Sequence, residues 1–116
     1  MKTQKLMTKA LENKLKKAPL YSTDGTADKM ILAKFFHAYG SGTWYLAEYD
    51  AETGRAFGYV ELAQGSEWGY FDLNEMQACR ASINGRRMPF QAIERDAYFT
   101  PQKMSELCPA AVEALS

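Results

Sequence analysis

The chain has few of the residues that build catalytic and metal centres. It contains one histidine, His37, and two cysteines, Cys79 and Cys108, among 116 residues. Neither cysteine lies in a C-x-x-C pair, and the dense acidic loop of a calcium site is missing, so no metal site is expected. Two widely separated cysteines are typical of free thiols in a reducing compartment. We therefore predict no metal, no cofactor and no catalytic residue.

Long apolar segments are absent as well. No run approaches the roughly 18–20 residues that a membrane-spanning helix needs. The lysines at the N-terminus are not followed by the uninterrupted apolar region of a signal peptide. A chain of 116 residues has the length of one domain. The sequence thus predicts a single cytoplasmic domain, 1–116, that makes no contact with membranes.

The net charge of zero conceals a strong asymmetry along the chain. Residues 1–17 hold six lysines against one acid, whereas the rest has 8 basic and 13 acidic residues. The six lysines are Lys2, Lys5, Lys9, Lys14, Lys16 and Lys17. An acidic body argues against a sheet that binds nucleic acid, because phosphate contacts supply most of that affinity.

The N-terminal segment, Thr3–Lys17, has the apolar spacing of an amphipathic helix, and Pro19 would end it. Its apolar stripe would cover a sheet, with the lysines in solvent. Alternatively, the helix would use these lysines to bind nucleic acid or another acidic partner.

Aromatic residues are abundant and lie in short alternating segments, which is the pattern of a small antiparallel sheet. The predicted strands are Met30–Phe36, Thr43–Tyr49, Arg55–Ala63, Glu67–Phe71 and a short one at Phe90–Arg95. The fold class is therefore α+β: an antiparallel four- to five-stranded sheet with an N-terminal helix and one or two C-terminal helices packed on it.

Helix signals follow the fourth strand. Asp72 and Glu75 have the spacing of a capping box before a helix from Leu73 to Arg80. Residues 86–89 are predicted as a loop, and a helix is predicted to open at Thr100-Pro101 and continue through Leu107. Residues 108–116 would form a last turn and a frayed end.

One candidate binding surface is an aromatic face of the sheet. If either Tyr49 or Ala51 pairs with Arg55, then Tyr45, Tyr49, Phe57 and Tyr59 share one face. Tyr39 and His37, in the adjoining connection, extend this set. Tyrosine is enriched at protein interfaces, so this face suits a protein partner. Equally, a helix could cover the face and place the tyrosines in the core.

A catalytic alternative rests on the connection from His37 to Ser41. A histidine and a serine four residues apart, with Glu48 or Asp50 nearby in sequence, suggest a hydrolase. However, no G-x-S-x-G pattern is present, and the glycines around Ser41 lack the lysine and spacing of a phosphate loop. This alternative is the weakest.

Several segments, in order from 20 to 107, resemble the bacterial DUF2958 family. They are LYSTDG (20–25), KFFHAYGSGTWYL (34–46), EYD (48–50), FGYV (57–60), GYF (69–71), LNE (73–75), IERD (93–96) and YF (98–99). The resemblance implies a small protein carried on mobile genetic elements, and it implies no activity, cofactor or catalytic residue.

Together these observations favour a non-enzymatic interaction protein from a mobile element. Its expected partner is a bacterial protein, and one version of the hypothesis is an inhibitor of a host defence system of anti-CRISPR or anti-restriction type. Nucleic acid bound through the lysine-rich helix is the second choice. A homodimer is also compatible with the sequence, because open sheet edges can pair.

Overall fold

A computed structural model of the chain describes residues 4–115. Within this range the helices are α1 (Lys9–Leu15), α2 (Leu73–Ala78), α3 (Met104–Leu107) and α4 (Pro109–Glu113). The strands are β1 (Met30–Ile31), β2 (Ala33–His37), β3 (Thr43–Asp50), β4 (Arg55–Leu62), β5 (Gly65–Asp72), β6 (Arg80–Ile83), β7 (Arg86–Gln91), β8 (Ile93–Arg95) and β9 (Gln102–Lys103). The predicted α+β class is confirmed.

The main sheet has five antiparallel strands in the order β5-β4-β3-β2-β8. Short loops join β2, β3, β4 and β5, as the glycine-containing turns predict. Gly54, at the end of the loop between β3 and β4, has φ of +81°, which is the left-handed conformation expected there. The eight-residue strand β5 forms one edge, and the three-residue strand β8 forms the other.

A bulge in β3 changes which residues share a face. Tyr45 pairs with Tyr59, but Glu48 pairs with Phe57, so Ala47 is the extra residue in β3. Gly58 lies opposite the bulge, where any Cβ would collide with the carbonyl group of Tyr45. Beyond the bulge the side-chain alternation is reversed.

The two faces of the sheet carry separate apolar clusters. We call one the α1 face, because α1 and α2 cover it; its buried residues include Phe35, Leu46 and Leu15. The other is the α4 face, where α3, α4 and the segment 19–29 pack against the sheet; its buried residues include Tyr59 and Ala111.

The N-terminal helix is shorter than predicted, since it begins at Lys9 and not at Thr3. Thr8 ends the preceding segment because its hydroxyl accepts a hydrogen bond from the amide of Leu11 at 3.1 Å. Upstream, Gln4 and Leu6 donate backbone N–H groups to the side chains of Gln91 and Gln77. Leu6 is buried in the α1-face cluster, so this segment does cover the sheet. Residues Lys2 and Thr3 lie outside the described residues.

Residues 86–89, predicted as a loop, instead form most of β7, which pairs with β6. The turn between them is Asn84-Gly85, and both residues have positive φ, +53° and +75°. An Asn-Gly pair of this kind favours a two-residue hairpin turn. The predicted helix before it ends at Ala78, and only Ile93–Arg95 of the predicted fifth strand joins the main sheet.

Further boundaries differ from the prediction. The helix predicted to open at Thr100-Pro101 begins instead at Met104, after Gln102 and Lys103 form β9. The first strand is divided, because Met30 and Ile31 pair with β9 whereas β2 pairs with β3. The end of the chain is packed as far as α4: Ala111 is buried, and its carbonyl accepts a hydrogen bond from the Trp68 indole at 2.8 Å. The frayed end that was expected from residue 108 therefore does not begin there.

Candidate functional site

The aromatic residues proposed as a binding face are divided between the two faces. Tyr45, Phe57 and Tyr59 lie on the α4 face, but the bulge turns Tyr49 to the α1 face, where it belongs to the core. Tyr49 and Tyr59 are only 8% and 7% exposed. The prediction that all four share a face is therefore wrong.

On the α4 face the aromatic rings pack against each other. Trp68 stacks on Phe57 with ring centroids 5.9 Å apart and meets Tyr59 edge-on at 5.4 Å. The pKa of Tyr45 is raised to about 12. Burial is the largest cause, and the charge of the neighbouring Glu61 carboxylate and its hydrogen bond to Tyr45 add to it. Tyr45 is therefore a neutral phenol near pH 7.

Hydrogen bonds of two buried charged residues hold the segment 19–29 against this face. Glu48 is 1% exposed, and its carboxylate accepts hydrogen bonds from the backbone N–H groups of Tyr21 and Thr23 and from the Thr23 hydroxyl. Lys29 donates to the carbonyls of Thr23 at 2.5 Å and Thr26 at 3.0 Å. Its ammonium group also lies 6.0 Å from the ring centroids of Phe57 and Trp68.

A second anchor joins the end of this segment to α3. The carboxylate of Asp28 accepts hydrogen bonds from the Ser105 hydroxyl at 2.7 Å and from its backbone N–H at 2.9 Å. These two bonds lower the pKa of Asp28, and the bond from the Ser105 hydroxyl has the larger effect. The α4 face is thus closed over most of its aromatic residues, and among those rings Tyr70 stays the most exposed.

The residues of the catalytic alternative lie apart. The Nδ1 atom of His37 accepts a hydrogen bond from the backbone N–H of Tyr39 at 3.1 Å, within the loop between β2 and β3. Glu48 is five residues farther along β3 than Thr43, or roughly 15 Å at a rise of about 3.3 Å per residue. Asp50 lies at the opposite end of β3 and accepts hydrogen bonds from Glu52 and Thr53. The structure does not bring His37, Ser41 and these carboxylates together.

The lysines of the N-terminal segment lie on its solvent side. Lys5, Lys9, Lys14, Lys16 and Lys17 are all exposed, and Lys2 is outside the described residues. Lys9 is 3.9 Å from Glu12 within α1, an exposed pair of the kind that contributes little to stability. The lysines therefore form a solvated basic surface on the outside of α1.

A concave surface lies elsewhere, on the α1 face beside β5, and no residue of α1 or α2 lines it. We call it the β5 groove; its volume is about 530 Å³. Its apolar walls are the side chains of Trp44, Val60, Leu62 and Phe71. Sequence reasoning identified β5 as a strand but missed this groove.

Glycine and glutamate shape the outer side of the groove. Gly69 is central to β5, and a Cβ built on it would meet no heavy atom within 4 Å. Glu67, two residues away and so on the same face, is exposed, and its carboxylate has no hydrogen bond or ion pair among residues 4–115. Glycine inside a strand often marks the close approach of a ligand or of another backbone, and this signal was present in the sequence.

The groove is continuous with the open edge of the sheet. On its outer side β5 has no partner strand in the part of the chain that the structure describes. The strand has eight residues and contains neither proline nor lysine, which natural edge strands use to prevent pairing. The open edge and the groove together form the candidate site.

Among residues 4–115, no group of three or more histidine, cysteine or acidic residues is placed to hold a metal ion. In the same range, none of the helices combines the length and the apolar character that crossing a membrane requires.

These features define a class of protein: an α+β domain with one long open sheet edge and an apolar groove beside it. Residues 3–115 match the family described as "Protein of unknown function (DUF2958)". The chain belongs to this family, and the resemblance found in the sequence is confirmed. Comparisons with curated proteins and with solved structures gave no match.

Proposed function

We propose that this protein is a non-enzymatic binding protein that recognises an extended segment of another protein by strand addition at β5. The observation that carries the proposal is the eight-residue open edge of β5 beside the β5 groove. In strand addition, main-chain hydrogen bonds supply affinity and pockets for alternate side chains supply specificity. Both components are available here on one strand.

Because the α4 face is closed, the open edge of β5 is a better candidate for the binding surface than the aromatic residues of the α4 face. A partner that used Tyr45, Phe57 and Tyr59 would have to displace the segment 19–29, with its hydrogen bonds to Glu48 and Lys29. A partner strand at the outer edge of β5 has no described strand to displace. Rigid docking without rearrangement is the usual behaviour of preorganised interfaces.

Two half-exposed aliphatic residues provide a matched test. Leu62 lines the groove and is 45% exposed, whereas Ile83 is 39% exposed next to the Asn84-Gly85 turn of a different sheet. Leu62→Glu and Ile83→Glu each place a carboxylate at the end of a strand. Bacterial lysate, with and without nuclease treatment, would be passed over the tagged wild-type chain and both variants.

We expect a protein that the wild type and Ile83→Glu retain and that Leu62→Glu loses. Equal retention by all three would contradict the proposal. Retention that depends on nucleic acid and on Lys9, Lys14 and Lys16 would favour the lysine-rich surface instead. Concentration-dependent dimers that Leu62→Glu disrupts would identify a second copy of the chain as the occupant.

The biological target is a narrower proposal. An inhibitor of a host defence system, of anti-CRISPR or anti-restriction type, would present its acidic body to a basic site on the defence protein. Expression of the chain in cells challenged with phage, with Leu62→Glu as the control, tests this version. The expected cytoplasmic location likewise stays a prediction, which fractionation of the producing cells would test.

A further inference from the structure

The groove and the strand edge together specify the chemistry of the segment that would bind there. Side chains of an added strand alternate between the two faces of the sheet. The partner's side chains on the α1 face would lie beside Glu67, Gly69 and Phe71, the three residues of β5 that share this face. Positions two apart on the partner therefore face the glutamate and the glycine.

The position opposite Gly69 suits a large apolar side chain. A Cβ built on this glycine would meet no heavy atom within 4 Å outside its chain neighbours, and the groove beyond it is walled by Trp44, Val60 and Phe71. A side chain of the partner that extends over Gly69 would contact these walls. The contact would remove apolar surface of both from water.

The position opposite Glu67 suits lysine or arginine. The Glu67 carboxylate has no ion-pair partner among the described residues, and it is the only charged side chain that lines the groove. A second copy of this chain would not supply the cation by pairing β5 with β5, because β5 contains no basic residue. This difference favours a foreign segment over a homodimer.

The direction of the added strand fixes the order of the two residues. Each pairing in the five-stranded sheet is antiparallel, and antiparallel pairs are slightly more stable per residue than parallel ones. In an antiparallel addition, the residue opposite Gly69 precedes the residue opposite Glu67 along the partner.

We infer that the β5 edge binds an extended protein segment in which a large apolar residue is followed, two positions later, by lysine or arginine. This inference rests on the proposed strand addition at β5 and names the partner's chemistry. It requires no covalent step and no cofactor.

Three nine-residue peptides test it, each with threonine at the other positions. The first has tryptophan at position 4 and lysine at position 6, the second exchanges these two residues, and the third has glutamate in place of the lysine. Each would be titrated into the isotope-labelled full chain while the backbone amide resonances of β5 are followed by NMR.

We expect the first peptide to shift the β5 resonances at the lowest concentration. The glutamate peptide should bind about twofold to fivefold more weakly, which is the change in affinity that one exposed ion pair contributes. Glu67→Gln should abolish this difference between the two peptides while its β5 resonances still respond. Gly69→Leu, which fills the groove with the protein's own side chain, should prevent binding of all three.

Equal responses to the lysine and glutamate peptides, or no response of β5 to the first peptide, would overturn the inference about chemistry. Stronger binding of the exchanged peptide would overturn the antiparallel order. Failure of the peptides with continued loss of protein capture by Leu62→Glu would leave strand addition standing and reject only this partner chemistry. Failure of both experiments would reject the proposed function itself.

Discussion

The two faces of the sheet offer a comparison between aromatic content and accessibility. The α4 face has the denser aromatic cluster, yet the segment 19–29 covers it through Glu48 and Lys29. The β5 groove has fewer aromatic residues and stays open, and no residue of α1 or α2 lines it. Buried charges that bind backbone groups, and not the number of tyrosines, therefore decide which surface is available.

The largest expected effect comes from removing the charge that closes the α4 face. Glu48→Ala leaves two backbone N–H groups and the Thr23 hydroxyl without their acceptor. Hydrogen bonds to charged groups contribute about 1.5–3 kcal/mol each, so the loss of all three should lower the free energy of unfolding by about 4–5 kcal/mol. Urea denaturation measures it, with the exposed turn variant Glu52→Ala as the control.

The same variant should loosen the segment 19–29 more than the sheet. Amide hydrogen exchange should accelerate at Tyr21 and Thr23 and stay slow in β4. A destabilisation below about 1 kcal/mol, or acceleration spread equally over the chain, would contradict the role assigned to Glu48.

Two glycines of the main sheet should respond in opposite ways to alanine. Gly58→Ala would force a Cβ against the carbonyl of Tyr45 at the bulge, and overpacking of this kind costs about 1–3 kcal/mol. Gly69→Ala would place its Cβ in open space at a φ that other residues adopt, so its unfolding free energy should stay equal or rise slightly. Thermal denaturation of both variants measures the difference.

If Gly69→Ala destabilised the protein as much as Gly58→Ala, the space above β5 would not be open in solution. The comparison between the closed and open faces would then fail at its central point.

A smaller effect is expected where Arg55 covers Tyr70. The guanidinium carbon of Arg55 lies 4.2 Å from the centroid of this exposed ring, and exposed cation–π contacts contribute about 0.5–1 kcal/mol. Arg55→Met, which keeps a long side chain without the charge, should lower the free energy of unfolding by that amount. An unchanged urea midpoint would show that the contact is not maintained in solution.

The last prediction concerns alkaline pH. The pKa of Tyr45 is raised from 10.0 to about 12 in the folded protein, so the unfolded chain loses this proton first. Stability should therefore be complete below pH 10 and decline as the pH rises from 10 towards 12. Tyr45→Phe should make this decline shallower in urea titrations, and an identical decline in both proteins would contradict the assignment.

Local sequence signals predicted most of the fold. The alternation of aromatic residues predicted the strands of the sheet, and the cap was correct, since Asp72 accepts hydrogen bonds from the amides of Asn74 and Glu75. The hairpin at Asn84-Gly85 was also readable in principle, because this dipeptide favours the turn. The prediction instead placed residues 86–89 in a loop, and the pairing of β7 with β6 corrects it.

Other features depend on contacts between distant residues and were not readable. The bulge at Ala47 depends on how β3 and β4 align as a whole, and a shift of one residue moves each later side chain to the other face. The non-helical segment before Thr8 depends on Gln77 and Gln91, more than 70 residues away in sequence. The groove is lined by residues of β3, β4 and β5 and by none of α1 or α2, an arrangement that β5 itself does not encode.

Hydrogen exchange of the β5 amides, with and without the captured partner, tests strand addition most directly. In the free protein, the outward-facing amides of β5 should exchange much faster than those of β4. In the complex, strand addition should protect alternate amides from Gly65 to Asp72 and leave Tyr21 and Thr23 unchanged. Protection confined to the segment 19–29 or to α1, with β5 still exchanging rapidly, would contradict the account.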